Sequence, residues 1–146
     1  MMKKIITNLL LLAVALLMVT SCDDMYPIVY DDANIIVGMS TASISVNENA
    51  SGSFNIYLGG VSGTEATDVT LTVSTDGISK PAVEGTDFTL SSKNVNVPVG
   101  VATVTVTPID NSVFTGNKQF KVTISGNSKD YTLAVQKSIL VTLVDD

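Results

Sequence analysis

Thr103-Val104-Thr105-Val106-Thr107-Pro108 decides the fold. Val104 and Val106 alternate with threonines, which is the period of a strand with one buried face, and the β-branched side chains favour an extended backbone until Pro108 closes the run. The same two-residue period continues outward in both directions. Toward the amino end, Val95 and Val97 precede Pro98 and Gly100, and Val69, Leu71 and Val73 alternate with Thr70, Thr72 and Ser74 before Thr75-Asp76-Gly77. Farther back, Phe54, Ile56 and Leu58 lead to Gly59-Gly60, and Ile44 and Val46 alternate with Ser43, Ser45 and Asn47. Toward the carboxyl end, Phe120, Val122 and Ile124 alternate with Lys121, Thr123 and Ser125 before Gly126-Asn127. The last run, Ile139 to Val144, is apolar at nearly every position, as expected of a strand covered on both sides. About seven short strands separated by Gly, Asn, Asp and Pro predict an all-β domain of two antiparallel sheets packed face to face.

The 146 residues contain 8 Lys and no Arg against 14 acids, with no His, no Trp and a single Cys. Without His there is no general base titrating near neutrality from its ordinary pKa, no imidazole-activated nucleophile and no imidazole metal ligand. One Cys allows no internal disulfide and no Cys/His zinc site, and a net charge of −6 opposes nucleic-acid binding. The core must therefore come from aliphatics with Phe54, Phe88, Phe114 and Phe120.

At the amino end, Lys3 and Lys4 precede an uncharged apolar stretch from Leu9 to Val19, followed by Thr20 and Ser21. That stretch is too short to span a bilayer, which takes about 20 residues, and it reads as a cleaved secretory signal peptide over residues 1–21. Val19-Thr20-Ser21-Cys22 resembles the lipobox of bacterial lipoproteins, which implies lipidation at Cys22 and anchoring of the mature chain to the membrane. Asp23 and Asp24 resemble the acidic export signal of surface lipoproteins in the Bacteroidota, implying the outer face of the outer membrane; in other Gram-negative lineages an Asp there is read as an inner-membrane retention signal. The mature chain would keep 6 Lys against 14 acids, a net −8. Residues 22–34, with Pro27 and no clear period, read as a lipidated tether to a domain spanning 35–146. Tyr26 and Tyr30 could equally begin a first edge strand.

From Ala42 to Asp146 the chain resembles the Calx-β domain, an immunoglobulin-like sandwich. Ile44-Ser45-Val46-Asn47-Glu48-Asn49 is similar to its opening strand, and Ala82-Val83-Glu84-Gly85-Thr86-Asp87-Phe88 to its "GxDY" loop. Val95-Asn96-Val97-Pro98-Val99-Gly100 resembles the stretch before its "PG" turn, and Val104 to Asp110 the strand entering its acidic cluster. Phe120 to Ser125 is similar to "FxVxLS" and Val141 to Asp146 to "VTIxDD". The resemblance implies an immunoglobulin-like β-sandwich whose acids can gather calcium at one tip. By position those acids are Glu48, Asp87, Asp110, Asp145 and Asp146. Calcium takes six to eight oxygen ligands, so such a site needs several carboxylates to converge. Where the family has a run like "DDDxxEEDE", this chain reads Asp110-Asn111-Ser112-Val113-Phe114-Thr115-Gly116-Asn117-Lys118. Fewer acids and Lys118 imply weak calcium binding, in the millimolar range of extracellular modules. Asp87 has an alternative role, because an acid after Gly85-Thr86 can accept backbone N–H bonds in a tight loop; Asp76 and Asp130 read as turn residues.

These features together predict a non-catalytic binding or adhesion module of the cell envelope, with an extracellular protein or glycan as partner. An accessory glycan-binding lipoprotein of a polysaccharide-uptake system is the alternative, weakened by the lack of Trp. Tyr131, between two strands, is the better candidate for a contact, and Tyr57 reads as a packing residue or a solvent-facing filler. A hydrolase using paired carboxylates, or a fibre subunit joined through edge strands, is less favoured.

Overall fold

The computed structural model describes residues 35–60, 64–110 and 113–145. They form the strands β1 (Ile36–Met39), β2 (Ser43–Asn47), β3 (Gly52–Gly59), β4 (Thr67–Ser74), β5 (Phe88–Leu90), β6 (Asn94–Val97), β7 (Gly100–Pro108), β8 (Lys118–Asn127), β9 (Thr132–Leu133) and β10 (Ser138–Val144). All seven strands expected from the alternating pattern are present, as β2, β3, β4, β6, β7, β8 and β10. The other three, β1, β5 and β9, have 4, 3 and 2 residues, too few for a two-residue period to register. The described residues contain no helix. The expected signal peptide, Cys22 and the tether lie outside the described residues, as does Asp146.

The strands form two sheets, ordered β5-β7-β3-β1-β9 and β2-β10-β8-β4-β6, and pack as an all-β sandwich. Most neighbours are antiparallel, but β1 with β9 and β2 with β10 run parallel. The chain crosses from the first sheet to the second between β1 and β2, and again between β9 and β10, and the two crossings lie side by side. Thr132 N–H donates to Ile35 O at 3.1 Å, Ala134 N–H to Val37 O at 2.8 Å, Met39 N–H to Gln136 O at 2.7 Å and Leu140 N–H to Ala42 O at 2.9 Å. Backbone pairing thus continues through the crossing, which satisfies polar groups that a bend would otherwise leave open.

Alternation puts Phe54, Ile56, Leu58, Val104 and Val106 on the inner face of one sheet. Val69, Leu71, Phe120, Val122 and Ile124 occupy the inner face of the other, and all ten side chains are at most 3% exposed. Phe88 of β5 and Phe120 of β8 join the sheets through stacked rings, with centroids 3.6 Å apart and planes 7° from parallel. Between its neighbours β2 and β8, β10 buries Ile139, Val141 and Leu143 but leaves Leu140, Thr142 and Val144 half-buried. The expectation of two covered faces is therefore corrected: among the described residues, no third layer covers the outer face of that sheet. Phe114, expected in the core, is 75% exposed. It lies in the stretch between β7 and β8 that belongs to neither sheet, so no strand face turns it inward. Tyr57 points away from the buried Ile56 and Leu58 and crosses to β1, where a Cβ on Gly38 would come 2.7 Å from its hydroxyl. Gly38 leaves room for that ring.

Candidate functional site

Strand register carries the sequence-expected acids to one end of the sandwich. Val144 pairs with Asn47, so Asp145 and Glu48 leave β10 and β2 together; Lys118 begins β8 opposite Leu143. In the other sheet Phe88 pairs with Pro108, which places Asp87 and Asp110 beyond adjacent strand ends. The Phe88–Phe120 stack brings these two groups of ends to the same tip. Asp87 immediately precedes one ring in sequence, and Lys118 stands two residues before the other, on the same face of β8.

Asp87 is held in a tight loop. Gly85 takes φ 81°, in the left-handed region, and the turn closes through Thr86 N–H to Val83 O at 3.1 Å and Asp87 N–H to Val83 O at 2.8 Å. The Asp87 side chain bonds back to that loop, its Oδ2 accepting from Val83 N–H at 2.7 Å. The structural alternative for Asp87 is thus what the loop displays. Its other oxygen, Oδ1, meets Lys118 Nζ at 2.6 Å, with 6% of the Asp87 side chain and 23% of the Lys118 side chain exposed. Burial pushes the Asp87 carboxyl up, but the hydrogen bonds from Lys118 and from Val83 N–H, with the charge of Lys118, together hold it below the ordinary carboxylate range.

Asp145 is engaged in the same fashion, by backbone rather than by a cation. Its Oδ2 accepts from the N–H groups of Thr115 and Gly116, and its own N–H donates to Asn117 Oδ1 at 3.3 Å. It therefore fastens the stretch that leads into β8. Glu48 is 9% exposed and its N–H donates to Val144 O at 3.0 Å. Asp110 is exposed, next to Ile109, whose N–H donates to Asp87 O at 2.9 Å. Among the described residues no three acids form a group that could hold a metal ion. Of the five acids expected at a calcium tip, then, Glu48, Asp87, Asp110 and Asp145 reach one end without assembling, and Asp146 lies outside the described residues. As arranged, the described residues do not fit a calcium ion, because Asp87 already binds an ammonium and an amide.

No family model matches the sequence, and no curated protein matches it. Among solved structures, the apo form of the Calx CBD1 domain matches with a TM-score of 0.65 at 23% identity, covering 77% of this chain and 97% of that one. The chain therefore has a Calx-β-like fold. Two longer chains agree: CBD12 of CALX1.2 has a TM-score of 0.65 at 24% identity over 77% of this chain. The structure described as the calcium binding domain CBD12 of CALX1.1 has a TM-score of 0.63 at 21% identity over 75% of this chain. This chain spans 46% and 44% of those two. A chain in a chaperone–tip adhesion subunit complex of Csu pili from Acinetobacter baumannii has a TM-score of 0.53 at 12% identity. At these identities the likeness is one of fold.

The remaining contact candidates take structural places in this Calx-β-like frame. Tyr131 is half-buried against the core; its N–H donates to Asn127 Oδ1 at 2.9 Å, and Asn127 Nδ2 donates to Tyr131 O at 2.8 Å. Asp130, beside it, takes φ 55° in the turn after β8, and Asp76 is exposed in the turn before Gly77. The one largely exposed aromatic among the described residues is Phe114, whose direction the sequence does not mark because it stands outside any strand.

Proposed function

We propose that this chain is a non-catalytic binding module of the cell envelope, held by lipid at Cys22 and presenting the loops of its sandwich to an extracellular partner. The observation that carries the reading is the placement of the chain's only thiol at the end of a lipobox-like Val19-Thr20-Ser21-Cys22, after a short apolar run and before a β-sandwich. The inventory of side chains supports the absence of catalysis: no imidazole occurs anywhere in the chain, and the buried carboxylate Asp87 is committed to Lys118 and Val83. Adhesion at the outer face of the outer membrane, in a Bacteroidota-type lipoprotein, is the fuller form of the proposal, supported by Asp23 and Asp24. A protein partner is favoured over a glycan, since sugar sites rest on exposed aromatic platforms and Phe114 is the one such ring among the described residues. Calcium, named for one structural neighbour, is the cation to test here, but no part of the reading depends on it.

Detergent phase partitioning followed by mass spectrometry of the full chain and of Cys22→Ser, expressed in a Gram-negative host, tests the anchor. The wild type is expected in the detergent phase as a cleaved chain whose amino-terminal Cys22 carries the mass of two or more acyl chains, and the variant as an uncleaved precursor of unmodified mass that still carries its apolar run. A wild type whose Cys22 carries no added acyl mass would refute the anchor. Protease shaving of intact cells then distinguishes the outer face from a periplasmic location.

A further inference from the structure

The tip of the sandwich poses a problem of charge that this chain solves internally. Asp87 and Phe88 belong to the segment that carries the chain from β4 in one sheet to β5 in the other, and Lys118 belongs to β8 in the sheet being left. The ion pair between them at 2.6 Å therefore bridges the two sheets, directly beyond the stacked rings of Phe88 and Phe120. The backbone is tied at the same place: Ala82 N–H donates to Gln119 O at 2.8 Å and Gln119 N–H donates to Lys80 O at 2.9 Å. A second ammonium reaches this end, for a Cβ placed on Gly116 would come 2.7 Å from Lys80 Nζ. Both oxygens of Asp87 are engaged by protein donors, and Oδ2 of Asp145 closes on the amides of Thr115 and Gly116.

We propose that the ammonium of Lys118 closes this end of the sandwich in the role a bound cation would serve, so that the tip keeps its shape whatever the calcium concentration. A divalent ion entering at Asp87 would have to displace Lys118 and leave that ammonium, three-quarters covered, without its carboxylate. A tethered cation is present at fixed stoichiometry and needs no free ion, which suits a domain that must hold a binding surface under changing ionic conditions. The inference stands on the geometry of the tip and is independent of the lipid anchor.

The test is thermal melting of the full chain in detergent, with chelator, with millimolar calcium and with millimolar magnesium. It is repeated for Lys118→Met, Asp87→Asn and the double variant. The wild type is expected to melt at the same temperature in all three conditions. Lys118→Met, which keeps the apolar stem but leaves Asp87 buried and short of a partner, is expected to lose on the order of 10 °C in Tm. The double variant is expected to recover at least half of that loss, because no unpaired buried charge remains. Should Lys118→Met fail to fold, a double variant that folds gives the same answer. A calcium-selective rise in the wild-type Tm overturns the proposal, as does a Lys118→Met that melts like the wild type. A double variant no more stable than Lys118→Met, or also unable to fold, overturns it too.

Discussion

Phe88 and Phe120 should be energetically coupled, and their geometry sets how strongly. Both rings are fully buried, and each comes from a different sheet. A centroid separation of 3.6 Å with planes 7° from parallel leaves almost no room for lateral offset, since that distance is already the contact distance between carbons. The quadrupoles of two such rings oppose one another, so the favourable part of the pair is dispersion and the exclusion of water. Each close carbon pair contributes about 0.1–0.2 kcal/mol, which makes the face contact worth about 1 kcal/mol. Replacing either ring by Leu keeps the site apolar but removes that contact and opens a small void, for a cost of about 2 kcal/mol, below the ~3–5 of a full truncation to Ala. The double variant Phe88→Leu/Phe120→Leu should then cost about 3 kcal/mol rather than about 4, because the shared contact can be lost only once. Urea unfolding of the four proteins, with a common slope, measures the cycle. Strict additivity would refute the reasoning, since it would mean that each ring is held by its own sheet and the stack carries no energy between the layers.

Other expectations concern single sites. Asp87 has a folded-state pKa below its ordinary value, so its contribution to stability is complete above about pH 4 and is lost as the pH falls through the folded value. Acid titration of Tm should accordingly steepen below that pH for the wild type and flatten for Asp87→Asn. Gly38→Val should destabilise by about 1–3 kcal/mol in chemical denaturation, because a Cβ there meets Ala134 Cβ at 2.6 Å and the Tyr57 ring carbon at 2.8 Å. Pairing Gly38→Val with Tyr57→Ala should recover part of the loss; no recovery would mean that Ala134 alone sets the clash. Phe114→Ser should leave stability within about 0.5 kcal/mol, given a ring 75% exposed, and a larger loss would place that ring in a core contact.

The two-residue period made the long strands legible because each has one face against the core. Phe54, Ile56 and Leu58 are buried while Asn55 and Tyr57 are half-buried, and the sequence alternates in step. The same rule fails where a segment is too short or is also covered on its outer face. Ile36–Met39 buries three of its four residues, since Gly38 is covered by Tyr57 although it faces outward. Thr132–Leu133 is a strand only by virtue of its parallel neighbour β1. Such strands exist through long-range pairing, which leaves no local periodic trace.

At the tip, sequence order identified which acids stand at strand ends, because register and alternation fix where each strand stops. It did not determine what those acids face. Lys118 was legible as a positive charge near the acids, yet its pairing with Asp87 depends on a contact between two sheets and on a residue 31 positions away. The physical link is the face of β8: Lys118 and Phe120 are two residues apart and so point the same way, into the sandwich, and Asp87 adjoins the ring on which Phe120 stacks. Once Phe88 and Phe120 meet, Lys118 has the buried carboxylate of Asp87 within reach, and leaving either charge alone in that setting costs more than pairing them. The aromatic stack therefore dictates the ion pair, and the ion pair in turn decides whether an acid at a Calx-β-like position has an oxygen to offer a metal.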